Sequence, residues 1–223
     1  MAERPIYIPQ PDGNLLVKTA MVEFKFHSGF AKVQKQKSIA ELHQSARAKF
    51  NLNKILEVSS KSEEPLGEAL SAFNLMINDE KTGKTYSVEC AFQSSKVFKE
   101  GGPFVDLLNV SSREAKKDER LKESGGLVAF QFKGTNWPLE PKTAFYDWLY
   151  INALNQNKKF HEPLLNYQAF TDIEFNPKKS INCQAYSVAL FVALARRNLL
   201  DQIREPEKFL KICSDFKPDD KLL

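Results

Sequence analysis

The segment from Thr143 to Asn155 constrains the fold most strongly, because apolar side chains cover most of its surface. Its large apolar residues are Phe145, Trp148, Leu149, Ile151 and Leu154. Their spacing is helical, and Pro138 and Pro141 precede the segment, as prolines often do ahead of a helix. A helix that is apolar on most sides has to be surrounded by other elements. The sequence therefore predicts a central helix within a substantial core.

The other segments predict a domain built around that helix. Helices are expected at 38–50, beginning with a capping box at Ser38, at 111–123, capped by Ser111 and Glu114, and at 181–194. Alternating apolar residues predict strands at 22–26 and 128–132, and the prolines of residues 1–14 predict an extended segment. The expected class is mainly α within α+β, a compact helical fold with a few short strands. At 223 residues the chain is one domain, 1–223, with a tail at 214–223.

Composition excludes several classes of protein. With 42% hydrophobic and 27% charged residues, the chain is neither disordered nor fibrous. The three cysteines lack the spacing of a disulfide framework or a zinc site and indicate a reducing compartment. Residues 1–10 do not resemble a signal peptide, and no apolar run approaches the roughly 20 residues of a membrane span. We therefore expect a cytoplasmic protein without membrane contact, and no motif predicts a metal or a cofactor.

Residues 87–98 carry the densest group of reactive side chains. In a helix capped by Ser87, three polar residues, Glu89, Gln93 and Lys96, share one stripe between Phe92 and Phe98. A carboxylate, an amide and an amine arranged in this way suit the floor of a pocket. The pattern alone favours a simpler interpretation, in which the stripe faces solvent on an amphipathic helix.

The run Glu89-Cys90-Ala91-Phe92-Gln93-Ser94-Ser95-Lys96 resembles the Glu-x-x-x-Gln-x-x-Lys signature of the NADAR family. Further matches follow in the family's order at Leu70-Ser71-Ala72-Phe73, at Trp137, at Asp172-Ile173-Glu174-Phe175 and at 178–185. The chain departs from the family pattern at three positions, where Ala72 replaces Asn, Phe175 replaces Trp and Ala185 replaces Gly. The resemblance covers about residues 22–200, with an inserted segment at 32–67. Within the family, the chain is similar to the NADAR proteins that are encoded beside DarT-type toxins.

The NADAR resemblance implies a function. Members of the family are N-glycosidases, and those encoded beside DarT-type toxins are antitoxins that remove the ADP-ribose which the toxin attaches to guanine in DNA. The expected protein is therefore a hydrolase of ADP-ribosylated DNA that releases ADP-ribose and is paired with a DarT-type ADP-ribosyltransferase toxin. Two alternatives stay open. One is an N-glycosidase acting on riboflavin-pathway riboside intermediates, and the other is a non-catalytic module that binds ADP-ribose or the toxin.

The resemblance also implies catalytic roles. Cleavage of a C–N glycosidic bond develops positive charge on the ribose C1 carbon, which Glu89 would stabilise. Lys96 has two open roles: it attacks C1 of the opened ribose to form a Schiff base, or it holds a phosphate as a point charge. The first role needs a neutral amine, which a neighbouring Glu89 carboxylate disfavours. Asp172 would orient water or a ribose hydroxyl, and an ordinary Asx turn is the alternative.

Eight further residues are predicted to contact the substrate: Phe73, Phe92, Gln93, Trp137, Phe175, Asn182, Lys35 and Lys37. The aromatic ones suit the walls of a base-binding site, with ordinary core packing as the alternative. Asn182 suits a ligand oxygen. Lys35 and Lys37 belong to a lysine-rich segment, 31–37, that suits contact with DNA phosphates. The alternative for this segment is a solvated loop. Both lysines are also rivals to Lys96 as the reactive amine. The net charge of +4 agrees equally with DNA binding and with an ordinary basic protein.

Overall fold

Strands form three separate sheets, so the fold class is α+β with a large β component. In the computed structural model, which describes residues 1–216, helices account for 43% and strands for 20% of the chain. The expectation of a mainly helical fold is therefore wrong. Four of the described strands are only three residues long, and such short runs carry too little alternation to be recognised from a sequence. Most of the predicted tail at 214–223, namely 217–223, lies outside the described residues.

The elements follow one another in a mixed order. The strands are β1 (Ala2–Pro9), β2 (Val17–Phe24), β3 (Ile55–Glu57), β4 (Met76–Asp79), β5 (Lys84–Ser87), β6 (Lys96–Phe98), β7 (Leu127–Phe132), β8 (Thr135–Trp137) and β9 (Ala169–Thr171). The α-helices are α1 (Lys32–Phe50), α2 (Pro65–Ala69), α3 (Val88–Ser94), α4 (Ser112–Lys117), α5 (Arg120–Glu123), α6 (Ala144–Gln156), α7 (His161–Leu165), α8 (Gln184–Arg196) and α9 (Pro206–Asp215). Short 3-10 turns lie at Val105–Asn109, Lys158–Phe160 and Leu200–Gln202.

The largest sheet has the strand order β2-β1-β9-β3. The antiparallel pair of β1 and β2 runs from Ala2 opposite Phe24 to Pro9 opposite Val17. β9 joins β1 through one antiparallel residue pair and lies parallel to β3. The extended N-terminal segment is thus a strand with a neighbour on each side. Because β3 lies within residues 32–67, that segment supplies an edge of the main sheet.

The two smaller sheets flank α3. β4 and β5 form a hairpin that leads directly into the helix, and β6, β7 and β8 form an antiparallel sheet that begins two residues after it. The strand predicted at 128–132 is confirmed as β7. The helix α3 therefore connects the two smaller sheets along the chain.

Helices α6 and α8 form the centre of the larger hydrophobic core. The prediction that 143–155 is a buried central helix is confirmed, since most of α6 is inaccessible to solvent. α6 packs against α8, which begins at Gln184, three residues later than the predicted Ile181. A buried polar contact joins the two helices, because the Ser187 hydroxyl donates to Asp147 Oδ1 over 2.6 Å. The sheet that contains β1 lies against α8 on one side and α1 on the other.

Helix α1 begins at Lys32, six residues before the predicted start at Ser38. Ser38 is buried inside the helix, where its hydroxyl donates to the Gln34 carbonyl oxygen over 3.1 Å. It therefore does not cap the helix, and the lysine-rich segment predicted as a loop is the first turn and a half of α1. The capping box predicted at Ser111 and Glu114 is confirmed at the start of α4.

Candidate active site

The helix that carries the signature residues is shorter than the sequence predicts. Ser87 caps α3 by accepting a hydrogen bond from the Cys90 amide over 3.1 Å, as predicted. At the other end, the hydroxyls of Ser94 and Ser95 both donate to the Ala91 carbonyl oxygen, and side-chain bonds of this kind compete with continuation of a helix. The chain then enters β6, so Lys96 lies in a strand and not on a helical stripe with Glu89.

The Glu89 carboxylate lies inside the protein, at 5% exposure. Its Oε1 atom accepts a hydrogen bond from Gln93 Nε2 over 2.9 Å and lies 3.7 Å from Lys116 Nζ. The lysine side chain is 58% exposed, so the ion pair has a buried acid and an accessible cation. The sequence did not predict that Lys116 pairs with Glu89, because Lys116 lies 27 residues further along the chain on another helix.

Lys96 lies half-buried beside this carboxylate. Its Nζ atom is 4.9 Å from the centre of the Phe92 ring. Burial lowers the pKa of the Lys96 amine, and the positive charge of Lys116 lowers it further, whereas the negative charge of Glu89 raises it. The net direction is downward, so the neighbouring carboxylate does not outweigh desolvation. The neutral, nucleophilic form of the amine is therefore easier to reach here than in an exposed lysine.

Aromatic rings surround the two charged groups. Phe92 is buried and packs edge-on against Tyr146, with ring centres 5.1 Å apart, and Phe130 lies 5.5 Å away. Phe73 is half-buried, and Lys116 Nζ lies 5.0 Å from its ring centre. Of the predicted aromatic contacts, Phe73 and Phe92 therefore share one location with Glu89 and Lys96.

Trp137 and Phe175 are both buried within the hydrophobic core. Trp137 packs 4.9 Å from Trp148 and 5.6 Å from Phe145. Within residues 1–216, its indole Nε1 atom has no hydrogen-bond partner. Phe175 belongs to the turn that follows Asp172, where its amide donates to Asp172 Oδ1.

Glu89 is one acidic centre of this region, and a second one consists of Asp172 and Glu57, both buried. Asp172 Oδ1 accepts the amides of Glu174 and Phe175 over 3.0 and 3.2 Å, the pattern of an Asx turn. Burial raises the pKa of both carboxyls, and the charge of Asp172 raises the pKa of Glu57 further. Sequence reasoning missed Glu57, although one acid within the apolar run 55–58 was a usable signal.

The two acidic centres connect through the backbone of Ala72. The Glu89 amide donates to the Ala72 carbonyl oxygen over 2.9 Å, and the Ala72 amide donates to Gln184 Oε1 over 2.8 Å. A hydrogen bond from the Gln184 side chain in turn lowers the pKa of Asp172. The charges of Glu89 and Asp172 both raise the pKa of Tyr146, after burial as the main cause. The charges of both carboxylates therefore influence the same buried tyrosine, Tyr146.

The remaining predicted residues lie nearer the surface. Lys35 Nζ forms an ion pair with Glu174 Oε1 at 3.0 Å, next to Asp172 in sequence. Lys37 is exposed on the same helix. Asn182 is half-buried in the segment before α8, and its Oδ1 atom is buried without a hydrogen-bond partner in the described part of the chain. The lysine-rich start of α1 thus reaches the Asp172 turn through Lys35.

Two general properties follow from residues 1–216. No cluster of three or more His, Cys, Asp or Glu residues among them has the arrangement of a metal site. None of the helices in this part of the chain is both long and apolar enough to cross a membrane.

The structure thus places the Glu89–Gln93 pair of the signature motif next to the Lys96 amine, in an α+β domain that also holds a second acidic centre. The sequence model of the DarT1-associated NADAR antitoxins matches residues 2–222, nearly the whole chain and all of 32–67. The protein therefore belongs to the DarT1-associated NADAR antitoxin family. A comparison with curated proteins found no match.

Proposed function

We propose that this protein hydrolyses the N-glycosidic bond between ADP-ribose and guanine in DNA, and so reverses the modification made by a DarT1 toxin. The family match supports the antitoxin role and the association with that toxin. The observation that carries the hydrolase proposal is the pairing of a buried carboxylate, Glu89, with Lys96, whose amine has a lowered pKa. Such a pair suits a reaction that develops positive charge on a sugar carbon.

Lys96 acts in this proposal as the nucleophile. Its neutral amine attacks the ribose C1 carbon, and the C1–N bond to guanine breaks as the new C1–N bond forms. The bonding electron pair moves to the guanine nitrogen. One proton of the attached amine then moves to the ribose ring oxygen as the ring opens to a protonated lysine imine. Water adds to C1 and releases the amine together with ADP-ribose, and the remaining proton returns to Asp172. The overall reaction consumes one water molecule and returns unmodified guanine.

Two carboxyl groups assist these steps. The Glu89 carboxylate stabilises the positive charge that develops at C1, and its buried position strengthens this effect. Asp172 donates the proton that the departing guanine nitrogen requires. Its buried carboxyl has a raised pKa, which keeps a proton available nearer to neutral pH than an exposed aspartate would.

Substrate contacts follow from the same surroundings. Phe73 and Phe92 suit the faces of a base or a ribose, and Gln93 holds the Glu89 carboxylate in place. Lys116 has an accessible ammonium group that suits a phosphate oxygen. Lys35 and Lys37, on the first turns of α1, suit the DNA backbone, where lysines gain from counterion release.

The first experiment measures release of ADP-ribose from an oligonucleotide that carries ADP-ribosylated guanine. We expect free ADP-ribose and unmodified DNA. Glu89→Gln should lower kcat by roughly 100-fold or more while the oligonucleotide still binds, because the variant removes a charge that the transition state needs. The matched control is Glu119→Gln, at an exposed glutamate, which should retain full activity. Unchanged turnover in Glu89→Gln would refute the site assignment.

The attacking group is identified by reduction with borohydride during turnover. A stable adduct that maps to Lys96 supports the imine, and Lys96→Arg should abolish it. An adduct on Lys35 or Lys37 would reassign the nucleophile, and turnover without any adduct would make Lys96 a phosphate contact. Release from a riboflavin-pathway riboside but not from modified DNA would contradict the proposed substrate. Tight binding without release would contradict catalysis altogether.

A further inference from the structure

Glu57 holds the Asp172 turn from both sides. Its Oε1 atom accepts the Ile173 amide over 2.9 Å, and its Oε2 atom accepts the Thr171 hydroxyl over 2.7 Å. These two donors are the residues immediately before and after Asp172. The Ser59 hydroxyl adds a third hydrogen bond over 2.7 Å, so the Glu57 carboxylate has its own orientation set.

The backbone strengthens this attachment. Glu57 is the last residue of β3 and lies opposite Thr171 of β9 in a parallel pair, and the Val58 amide donates to the Thr171 carbonyl oxygen over 2.8 Å. Glu57 is 2% exposed, and Asp172 is 7% exposed. A side chain from the segment 32–67 therefore reaches the centre of the molecule at the residue proposed to donate a proton.

Two buried carboxyls this close disfavour each other's charge. Burial is the main cause of the raised pKa of Glu57, and the negative charge of Asp172 is the second. The charge of one carboxyl therefore opposes the loss of a proton from the other, so the pair keeps a proton to a higher pH than two separate carboxyls would.

Other titratable groups face this pair from the surrounding elements. They are Arg4 and Tyr7 on β1, His43 on α1, Tyr146 and Tyr150 on α6, Glu174 with its partner Lys35, and Cys183 before α8. Burial lowers the pKa of His43 to about 3, so this residue stays neutral at physiological pH. Burial likewise raises the pKa of Tyr146, Tyr150 and Cys183, which keeps them uncharged. Burial lowers the pKa of Arg4, and the negative charge of Asp172 opposes this shift, so Arg4 and Asp172 interact directly.

We propose that Glu57 is the positioning residue of Asp172: its hydrogen bonds to Thr171 and Ile173 hold the residues on both sides of Asp172, and its charge keeps a proton on the Asp172 carboxyl. The inference rests on the proposed function, in which Asp172 supplies the proton for the guanine nitrogen. Glu57 itself does not touch the substrate. Its negative charge keeps the proton on the pair, and its hydrogen bonds keep the donor in place.

The test combines two variants with two measurements. Glu57→Gln keeps an acceptor for Ile173 and removes the charge, whereas Glu57→Asp keeps the charge and shortens the reach. In Glu57→Gln the alkaline limb of the kcat profile should move to lower pH by about one unit, because the like charge is gone. In Glu57→Asp that limb should stay in place while kcat falls. A uniform loss of kcat in both variants, without a shift, would overturn the inference.

A measurement without turnover separates this inference from the proposed function. The carboxyl carbon of Asp172 is followed by NMR against pH in protein labelled with 13C at aspartate and glutamate, and Asp172→Asn identifies the signal. We expect a two-step titration in the wild type and a single step at lower pH in Glu57→Gln. Identical curves would refute the effect of the Glu57 charge on Asp172, even in an active enzyme. A shifted curve in a protein that releases no ADP-ribose would refute the proposed reaction alone.

Discussion

The buried carboxyl of Asp147 should make the stability of this protein depend on pH. Asp147 lies in the first turn of α6, 3% exposed, and holds α6 to α8 through Ser187. Burial raises its pKa from 3.8 to about 7, although hydrogen bonds from Ser187 and Thr143 oppose the shift. Because the pKa of Asp147 is higher in the folded protein than in the unfolded chain, Asp147 contributes its full stabilisation below pH 3.8, the unfolded pKa. This contribution decreases as the pH rises and is lost once the pH has passed the folded pKa of about 7.

The size of this loss follows from the two pKa values. A difference of about three pKa units corresponds to about 4 kcal/mol of unfolding free energy in total, of which about 3 kcal/mol falls between pH 5 and pH 9. Asp147→Asn removes the titration and keeps an oxygen that accepts from Ser187. Relative to the wild type, the variant should therefore gain about 3 kcal/mol as the pH rises from 5 to 9.

Urea denaturation followed by circular dichroism at pH 5, 7 and 9 measures this change. Glu57 and Asp172 titrate in both proteins, so their contributions cancel in the difference between variant and wild type. Asp201→Asn, at an exposed aspartate, is the matched control and should show no such dependence. A difference that stays constant within about 0.5 kcal/mol from pH 5 to pH 9 would show that Asp147 does not titrate as its burial implies.

Two further predictions concern the site and its support. Lys116→Met should move the acidic limb of the kcat profile to higher pH by up to about one unit, because the charge of Lys116 lowers the pKa of Lys96. The neighbouring exposed variant Lys117→Met should leave the limb in place, and an unmoved limb in both would contradict a neutral Lys96 amine. Gly67→Ala should lower the unfolding free energy by about 1–3 kcal/mol, because the added methyl group overlaps a backbone carbonyl oxygen at the end of β3. In Gly126→Ala the methyl group would meet only a lysine side chain at 3.7 Å, so the unfolding free energy measured by urea denaturation should change by less than about 0.5 kcal/mol. Equal losses of unfolding free energy in the two glycine variants would contradict the steric argument.

Several elements could be predicted because their signals are local. The central helix α6, the strand β7, the Ser87 cap and the Ser111 capping box all depend on residues within one or two turns of each other. The family membership likewise came from short motifs and is confirmed by the match to residues 2–222. The roles of Glu89, Lys96 and Asp172 remain predictions, and the experiments above test them.

The errors have a common cause, which is pairing between distant segments. The signature helix ends early because the residues that follow it form β6, which pairs with β7. The sequence did not predict this end, since β7 lies about 30 residues further along the chain. The three-residue strands β3 and β9 are strands only because they pair with each other and β9 also pairs with β1, and this pairing overturned the mainly helical class. No local pattern contains such information.

The sequence by itself determined the buried central helix, the Ser87 and Ser111 caps, the family and the chemical types of the candidate site residues, because these depend on near neighbours along the chain. Only the tertiary structure decided the environment of the charges. It brought Lys116 next to Glu89, which lies 27 residues earlier in the chain, and Glu57 next to the Asp172 turn, 115 residues later. Burial then shifted the pKa values of Lys96 and both members of the acidic pair, because desolvation depends on what surrounds a charge in space.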